Sequence, residues 1–240
     1  MVTPQRRPLA EFREKLKAHS IGGDAPNRHM IPLMHAKCFL SALPRWLDQR
    51  QLKPEPPAAD PEKRPVFILG HWRSGTTFLQ FLLNKDPAFF TQNKYQSLFP
   101  DGFYTTEQSL KPVLAWLLSL TRPVHEWQAN ISKSMAIDTP SEAELALISQ
   151  LVPYTYHWAH FFPRSWQYYF RHYLLLEGLR EDTYRKWQQA YGTFLNKLYR
   201  YHGSGRLLVK NPGDTARISA LLDLYPHARF IFLHRHPYEV

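Results

Sequence analysis

An arginine, a serine and two threonines are crowded between and after two glycines in Gly70-His71-Trp72-Arg73-Ser74-Gly75-Thr76-Thr77, directly behind the apolar run Val66-Phe67-Ile68-Leu69. The run reads as a buried strand and Thr76 to Asn84 as a helix, so the loop between them opens that helix. Backbone N–H groups and the positive end of the helix dipole converge at such a point, and the hydroxyls and the Arg73 guanidinium add further donors. The chemistry this allows is anion binding. Four residues separate Gly70 from Gly75, the spacing of a nucleoside-triphosphate loop, but Thr76 stands where the lysine of that loop is required. With Arg73 inside the loop, the cradle suits a smaller charge than a triphosphate with its magnesium.

Two more cations sit at the ends of apolar runs. Leu207-Leu208-Val209-Lys210-Asn211-Pro212 reads as a strand ending in Lys210, and Ala228-Arg229-Phe230-Ile231-Phe232-Leu233-His234-Arg235 as another ending in Arg235. Open α/β sheets place their ligand-binding groups beyond the carboxyl ends of the strands. A strand-end lysine in water is the plain alternative for Lys210. Arg235 has a planar fork that can grip two phosphate oxygens together, whereas a lysine offers a point charge.

The loop Trp72-Arg73-Ser74-Gly75-Thr76-Thr77 resembles the 5′-phosphosulfate loop of sulfotransferases that use 3′-phosphoadenosine-5′-phosphosulfate (PAPS), whose pattern is [PW]-[KR]-S-G-T-T. Lys210-Asn211-Pro212 and the block from Ala228 to Val240 are similar to the same family's K-[SN]-P and its strand, Arg and [DNH]-P-x-x-V arrangement. The segment Pro140-Ser141-Glu142-Ala143-Glu144 resembles the P-x-E-x-E of a bacterial branch. The resemblance spans roughly residues 62 to 240. It implies an α/β, P-loop-like three-layer fold with a central parallel sheet, and PAPS as co-substrate, with adenosine 3′,5′-bisphosphate as product and no metal. By the same resemblance Arg73, Ser74, Gly75, Thr76 and Thr77 hold the 5′-phosphosulfate, Lys210 lies near the transferred sulfuryl group, and Arg235 binds the 3′-phosphate. The family places a serine eight residues after that arginine, which would be position 243, and a later segment over the adenine. A chain ending at Val240 is thus expected to be a fragment that binds the donor weakly.

Sulfuryl transfer to a hydroxyl or amine also needs a proton acceptor. The two bases familiar in the family are missing: Pro212 occupies the place of the histidine beyond the lysine, and Asn93-Lys94-Tyr95-Gln96 that of the glutamate beyond the loop helix. Glu142 is the first candidate, followed by Glu144, Asp138 and Asp214, with His125 and His160 outside them. Thr139-Pro140-Ser141-Glu142 equally suits the capped, acidic first turn of a helix. Glu142 and Glu144 are two residues apart, so on one helix they would point to different sides. His157 and His160 have a spacing that could bring two metal ligands together, but no third ligand or cysteine supports a metal site.

The elements that must carry these groups follow a strand, loop, helix pattern from Pro65 onward, and later helix, strand, helix, strand, which predicts a parallel sheet between helices. Helices are expected at Thr106 to Leu120, Ser141 to Leu151, Asp182 to His202 and Thr215 to Leu224. Residues 1–64 read as a basic leader with helices near Ala10 to His19 and Pro32 to Gln51, then a stiff linker with four prolines from Pro54 to Pro61. Residues 65–240 form the expected catalytic domain. The aromatic, basic stretch Tyr154 to Tyr173 could line an acceptor pocket, stack nucleic-acid bases or simply pack.

The chain has 240 residues, 44% of them hydrophobic, enough for one sizeable core. A net charge of +10 implies anionic partners. Its single Cys38 excludes an internal disulfide framework and fits a reducing, cytoplasmic setting. The longest apolar run, Val113 to Leu120, is far short of the ~20 residues that span a bilayer. The activity that the resemblance implies is transfer of a sulfuryl group from PAPS to a hydroxyl or amine of an unknown acceptor, with no nucleic acid as partner. A degenerate P-loop kinase lacks a G-K-[ST] loop and an apolar strand ending in Asp. A basic module that binds nucleotide or polyanion without turnover is the non-enzymatic alternative.

Overall fold

The computed structural model describes residues 41–52, 64–120, 136–150, 152–236 and 238. The expected leader helix at Ala10 to His19, the proline-rich linker and His125 lie outside them. Four strands, β1 (Val66–Leu69), β2 (Phe89–Phe90), β3 (Arg206–Lys210) and β4 (Arg229–Phe232), form one parallel sheet in the order β2-β3-β1-β4.

Alternation along the strands explains the layers. Phe67, Leu69, Leu207 and Val209 point into a core with Trp187, Tyr191, Leu195 and Leu221. Val66, Ile68 and Leu208 point the other way, onto Leu79, Leu83 and Ile231. Side chains of a strand leave on alternate faces, so a central strand whose four residues are all buried must be covered on both sides. Helix α2 (Thr76–Leu83) covers one side, and α7 (Glu181–His202) with α8 (Ile218–Leu224) the other. Burying each large apolar side chain contributes ~1.5 to 3 kcal/mol.

The remaining α-helices among the described residues are α1 (Ala42–Gln51), α3 (Lys94–Leu98), α4 (Phe103–Leu120), α5 (Ala143–Ser149) and α6 (Trp166–Tyr169). Asp48 on α1 is buried against Lys197 of α7 and accepts hydrogen bonds from the Thr105 amide at 2.9 Å and hydroxyl at 2.6 Å, tying α1 to α4 and α7.

The aromatic stretch folds as 3-10 turns at Tyr156–His160 and Pro163–Ser165, α6, and a π turn at Phe170–Leu174. Packing accounts for most of its rings: Tyr156, Trp158, Phe162, Tyr169 and Tyr173 form a buried cluster of their own. The helix expected from Thr215 begins only at Ile218, because a 3-10 turn at Pro212–Ala216 comes first.

Candidate active site

The loop after β1 is shaped by three residues with positive φ: Gly70 at 151°, Arg73 at 68° and Gly75 at 99°. A Cβ on Gly70 would lie 2.7 Å from the Leu233 carbonyl oxygen and 2.9 Å from Ser74 Oγ, so only glycine fits between β4 and the loop. Arg73 adopts a left-handed conformation that few non-glycine residues visit. The turn beneath it is closed by the Ser74 amide and hydroxyl, which donate to the His71 carbonyl at 3.2 and 2.7 Å.

Gly75 occupies the N-cap of α2 and supplies no capping side chain, so the first amides of the helix lack an intrahelical acceptor. Arg73 and Thr77 are exposed, whereas Ser74 and Thr76 are buried. Open amides, a helix N-terminus and an exposed guanidinium fit a bound anion.

The three cations predicted from the sequence belong to neighbouring strands. Ile68 of β1 is in register with Lys210 of β3, and Leu69 with Phe232 of β4. The Leu233 amide donates to the Leu69 carbonyl at 2.9 Å, extending that ladder to within two residues of Arg235. All three strands run parallel, so Arg73, Lys210 and Arg235 all follow from the carboxyl edge of one sheet. Arg235 is exposed there.

Lys210 is nearly buried, and its Nζ donates to Glu142 Oε1 at 2.6 Å. Glu142 is at the N-cap of α5 in extended conformation, yet its side chain makes no cap hydrogen bond. The capped, acidic first turn expected from Thr139 is therefore not how this carboxylate is used; it turns toward the cation instead. Glu144 is wholly buried on α5 and accepts from Asn211 Nδ2 at 3.1 Å and from Arg217 at 2.7 Å. The two glutamates thus reach consecutive residues, 210 and 211, contrary to the divergence expected from helical spacing. The reason is that Glu142 precedes the helix and does not share its rotation.

Arg217 anchors the second cluster, which the sequence reading missed. It is buried under Glu144 and donates to the Tyr173 and Leu174 carbonyls, and its charge lies over the rings of Tyr156 and Trp187. Burial pushes the Glu144 carboxyl up, but the Arg217 charge, with His157 and hydrogen bonds from Arg217 and Thr155, outweighs it and holds the group below the ordinary carboxylate range. Asp214 differs. Its oxygens accept from Asn211 at 2.9 Å and Tyr191 at 2.5 Å, while Arg217 is 3.5 Å away, and burial raises its carboxyl to about 7.

Asp138 is exposed and pairs with Lys111 at 2.9 Å, on the α4 side. His157 and His160 have ring centroids 5.5 Å apart, with no third metal ligand beside them among the described residues. Burial lowers the pKa of His157 despite the nearby charges of Glu144 and Glu142. Trp72, 38% exposed in the loop, meets the Tyr156 ring edge-on at 6.3 Å, and Tyr156 in turn meets Phe170 at 5.7 Å.

The fold is an α/β domain whose parallel sheet lies between helices, with Lys210 and the segments that carry Arg73 and Arg235 at its carboxyl edge. A sulfotransferase family model matches residues 65–240, and the chain belongs to that family. It is 32% identical over 182 residues to omega-hydroxy-beta-dihydromenaquinone-9 sulfotransferase Stf3 of Mycobacterium bovis, and equally to the protein of that name from Mycobacterium tuberculosis. Each match covers 76% of this chain and 44% of the relative, so the chain spans less than half the length of these relatives. Among solved structures it is similar to sulfotransferase STF9 of Mycobacterium avium, with TM-score 0.55, 26% identity and coverage of 85% of this chain and 48% of that one. Sulfotransferase STF1 of Mycobacterium tuberculosis, at 20% identity and TM-score 0.59 over 94% of this chain and 61% of its own, shares the fold. Among the described residues, no helix is long and apolar enough to cross a membrane.

Proposed function

We propose that this chain carries the donor-binding half of a PAPS-dependent sulfotransferase and that it passes a sulfuryl group to a hydroxyl. The observation that carries this reading is the parallel alignment of β3, β1 and β4, with Lys210, the Arg73 loop and Arg235 all at their carboxyl edge. PAPS supplies a sulfuryl group already activated by attachment to a phosphate. The loop amides, Ser74, Gly75, Thr76, Thr77 and Arg73 hold the 5′-phosphosulfate and stabilise the charge that gathers on the departing phosphate oxygen. Arg235 grips the 3′-phosphate.

Lys210 exchanges its contact with Glu142 for the sulfuryl oxygens, which frees Glu142 to take the acceptor's proton. The new bond joins the acceptor oxygen to sulfur, the bond from sulfur to the bridging oxygen breaks, and adenosine 3′,5′-bisphosphate leaves. Protein cations occupy the positions that magnesium holds in triphosphate chemistry, so no metal enters this scheme. The acceptor is an alcohol with an apolar body. Support comes from the exposed Trp72 ring in the loop, backed by Tyr156, and from the hydroxylated quinone in the relative's name.

The test is transfer of ³⁵S from labelled PAPS across a panel of prenyl, phenolic, sugar and peptide alcohols. Product is expected from an apolar alcohol with the parent chain, falling by ~10² or more with Arg73→Ala. Equal product from both proteins would refute the role given to Arg73, and phosphate transfer from magnesium-ATP would refute the reaction class.

A further inference from the structure

We infer that Thr215 is a positioning residue, whose hydroxyl pins the anion loop to the strand end that carries Lys210; this rests on the donor-site reading above. The Gly70 amide donates to Thr215 Oγ1 at 3.0 Å, and the same oxygen lies 3.4 Å from the Gly70 carbonyl oxygen, to which it donates. One hydroxyl thus engages both polar groups of a single glycine 145 residues away in sequence.

The location of that glycine gives the contact its consequence. Gly70 is the junction between β1 and the closed turn His71 to Ser74, its φ of 151° is open to glycine, and it lies against the Leu233 carbonyl oxygen and Ser74 Oγ where a Cβ would not fit. A turn closed within itself keeps its shape, so its direction is set by what holds the junction. Packing limits that junction, and the Thr215 hydroxyl is the side-chain group that bonds both of its polar atoms.

The other end of the pin is fixed. Thr215 lies in the 3-10 turn Pro212–Ala216, whose N-cap Asn211 accepts from the Gly213 amide at 3.3 Å through its side chain. Asn211 Nδ2 also donates to Glu144 and to Asp214 in the buried cluster. Lys210 immediately precedes this anchored turn. Beside the direct pairing of β1 with β3, a chain of contacts from Glu144 through Asn211 and Thr215 to Gly70 therefore ties the loop to the strand end at Lys210.

Thr215→Val keeps the side-chain shape and removes the hydroxyl, while Thr215→Ser keeps the hydroxyl. Two measurements separate the pin from the donor reading: amide hydrogen exchange over residues 70–74 in the free full chain, and calorimetric affinity for PAPS and for adenosine 3′-monophosphate, which has no 5′ phosphate. The valine variant is expected to exchange ~3- to 10-fold faster over 70–74 and to bind PAPS weaker by a similar factor, the effect of one lost hydrogen bond. Its affinity for adenosine 3′-monophosphate should be unchanged, and serine should restore both altered readouts.

Unchanged exchange in the valine variant overturns the pin. A uniform loss of affinity for both nucleotides, or a serine variant as impaired as valine, also overturns it, because a general structural defect would then account for the data. If the parent binds neither nucleotide, the donor reading fails, and the exchange data alone decide whether Thr215 holds the loop.

Discussion

Lys210 Nζ and Glu142 Oε1 are 2.6 Å apart, with 4% of the lysine side chain and 33% of the glutamate side chain open to solvent. A pair with one partner inside and one at the rim suits an exchangeable contact: the lysine is held at the strand end while the carboxylate can be reached from outside. Glu142→Gln keeps the shape and removes the basicity. Turnover should fall ~10²- to 10⁴-fold, the usual contribution of a positioned base. Affinity by calorimetry for adenosine 3′,5′-bisphosphate, which has no sulfuryl group for Lys210 to hold, should stay within about twofold, because Arg73, Arg235 and the loop are untouched. Undiminished turnover would remove Glu142 from the mechanism and direct attention to His157, whose ring lies within electrostatic reach of both glutamates.

Glu144 should behave in the opposite way. It shares a fully buried cluster with Arg217, and removing one member of such a pair leaves an uncompensated charge, at a cost of ~3 to 5 kcal/mol. Urea unfolding of Glu144→Gln is expected to show a loss of that order. The double variant Glu144→Gln, Arg217→Met should recover part of it, since the stranded guanidinium is gone. A loss below ~1 kcal/mol for the single variant would mean that water reaches the cluster.

Much of this site is legible in the residues before any coordinates. The loop from Gly70 to Thr77 follows from glycine positions and donor types, and β1 and β3 from apolar runs that end in a glycine or a cation; β4 stops at Phe232, short of the strand end expected at Arg235, and only the Leu233 amide continues its ladder. The parallel sense of the sheet, though not its strand order, follows from the helices between the strands. Arg217 is not legible, because nothing in its neighbours distinguishes a buried arginine from a solvated one. Its burial depends on Glu144, 73 residues earlier, and on carbonyls released by the π turn at Phe170–Leu174. Strand β2 escapes notice for a related reason: two residues, Phe89 and Phe90, are too few for a period of two to register. Helix α3, five residues held by the reciprocal capping of Asn93 and Gln96, is likewise too short for a helical period.

Asp214 predicts a pH dependence with a definite sign. Its carboxyl is raised to about 7 by burial, against ~3.9 in an unfolded chain. Between these values the folded state holds a proton that the unfolded state has lost, so this group's contribution to stability falls as pH rises from about 4 to about 7 and is level above. Asp214→Asn abolishes that slope. The difference in urea midpoint, variant minus parent, should therefore grow in favour of the variant across the window and then stay constant. A difference independent of pH would show that Asp214 is ionised throughout.

The two ends of the nucleotide site can be told apart by ligands that carry only one of its phosphates. Arg73 belongs to the loop after β1, and Arg235 follows β4, whose Phe232 is in register with Leu69 of β1. An arginine that holds one phosphate contributes a charge-assisted contact worth ~1.5 to 3 kcal/mol, or roughly 10- to 100-fold in affinity. Arg235→Ala should weaken adenosine 3′,5′-bisphosphate by that factor and leave adenosine 5′-monophosphate unaffected. Arg73→Ala should weaken ligands with a 5′ group and spare adenosine 3′-monophosphate. Because the two residues follow neighbouring parallel strands, both effects should appear on one ligand, and the double variant should lose close to the sum of the single losses for the bisphosphate. Should Arg235→Ala weaken the 5′-monophosphate as much as the bisphosphate, the arginine acts through the loop and not on the 3′-phosphate, and the two-ended grip proposed for this edge of the sheet fails.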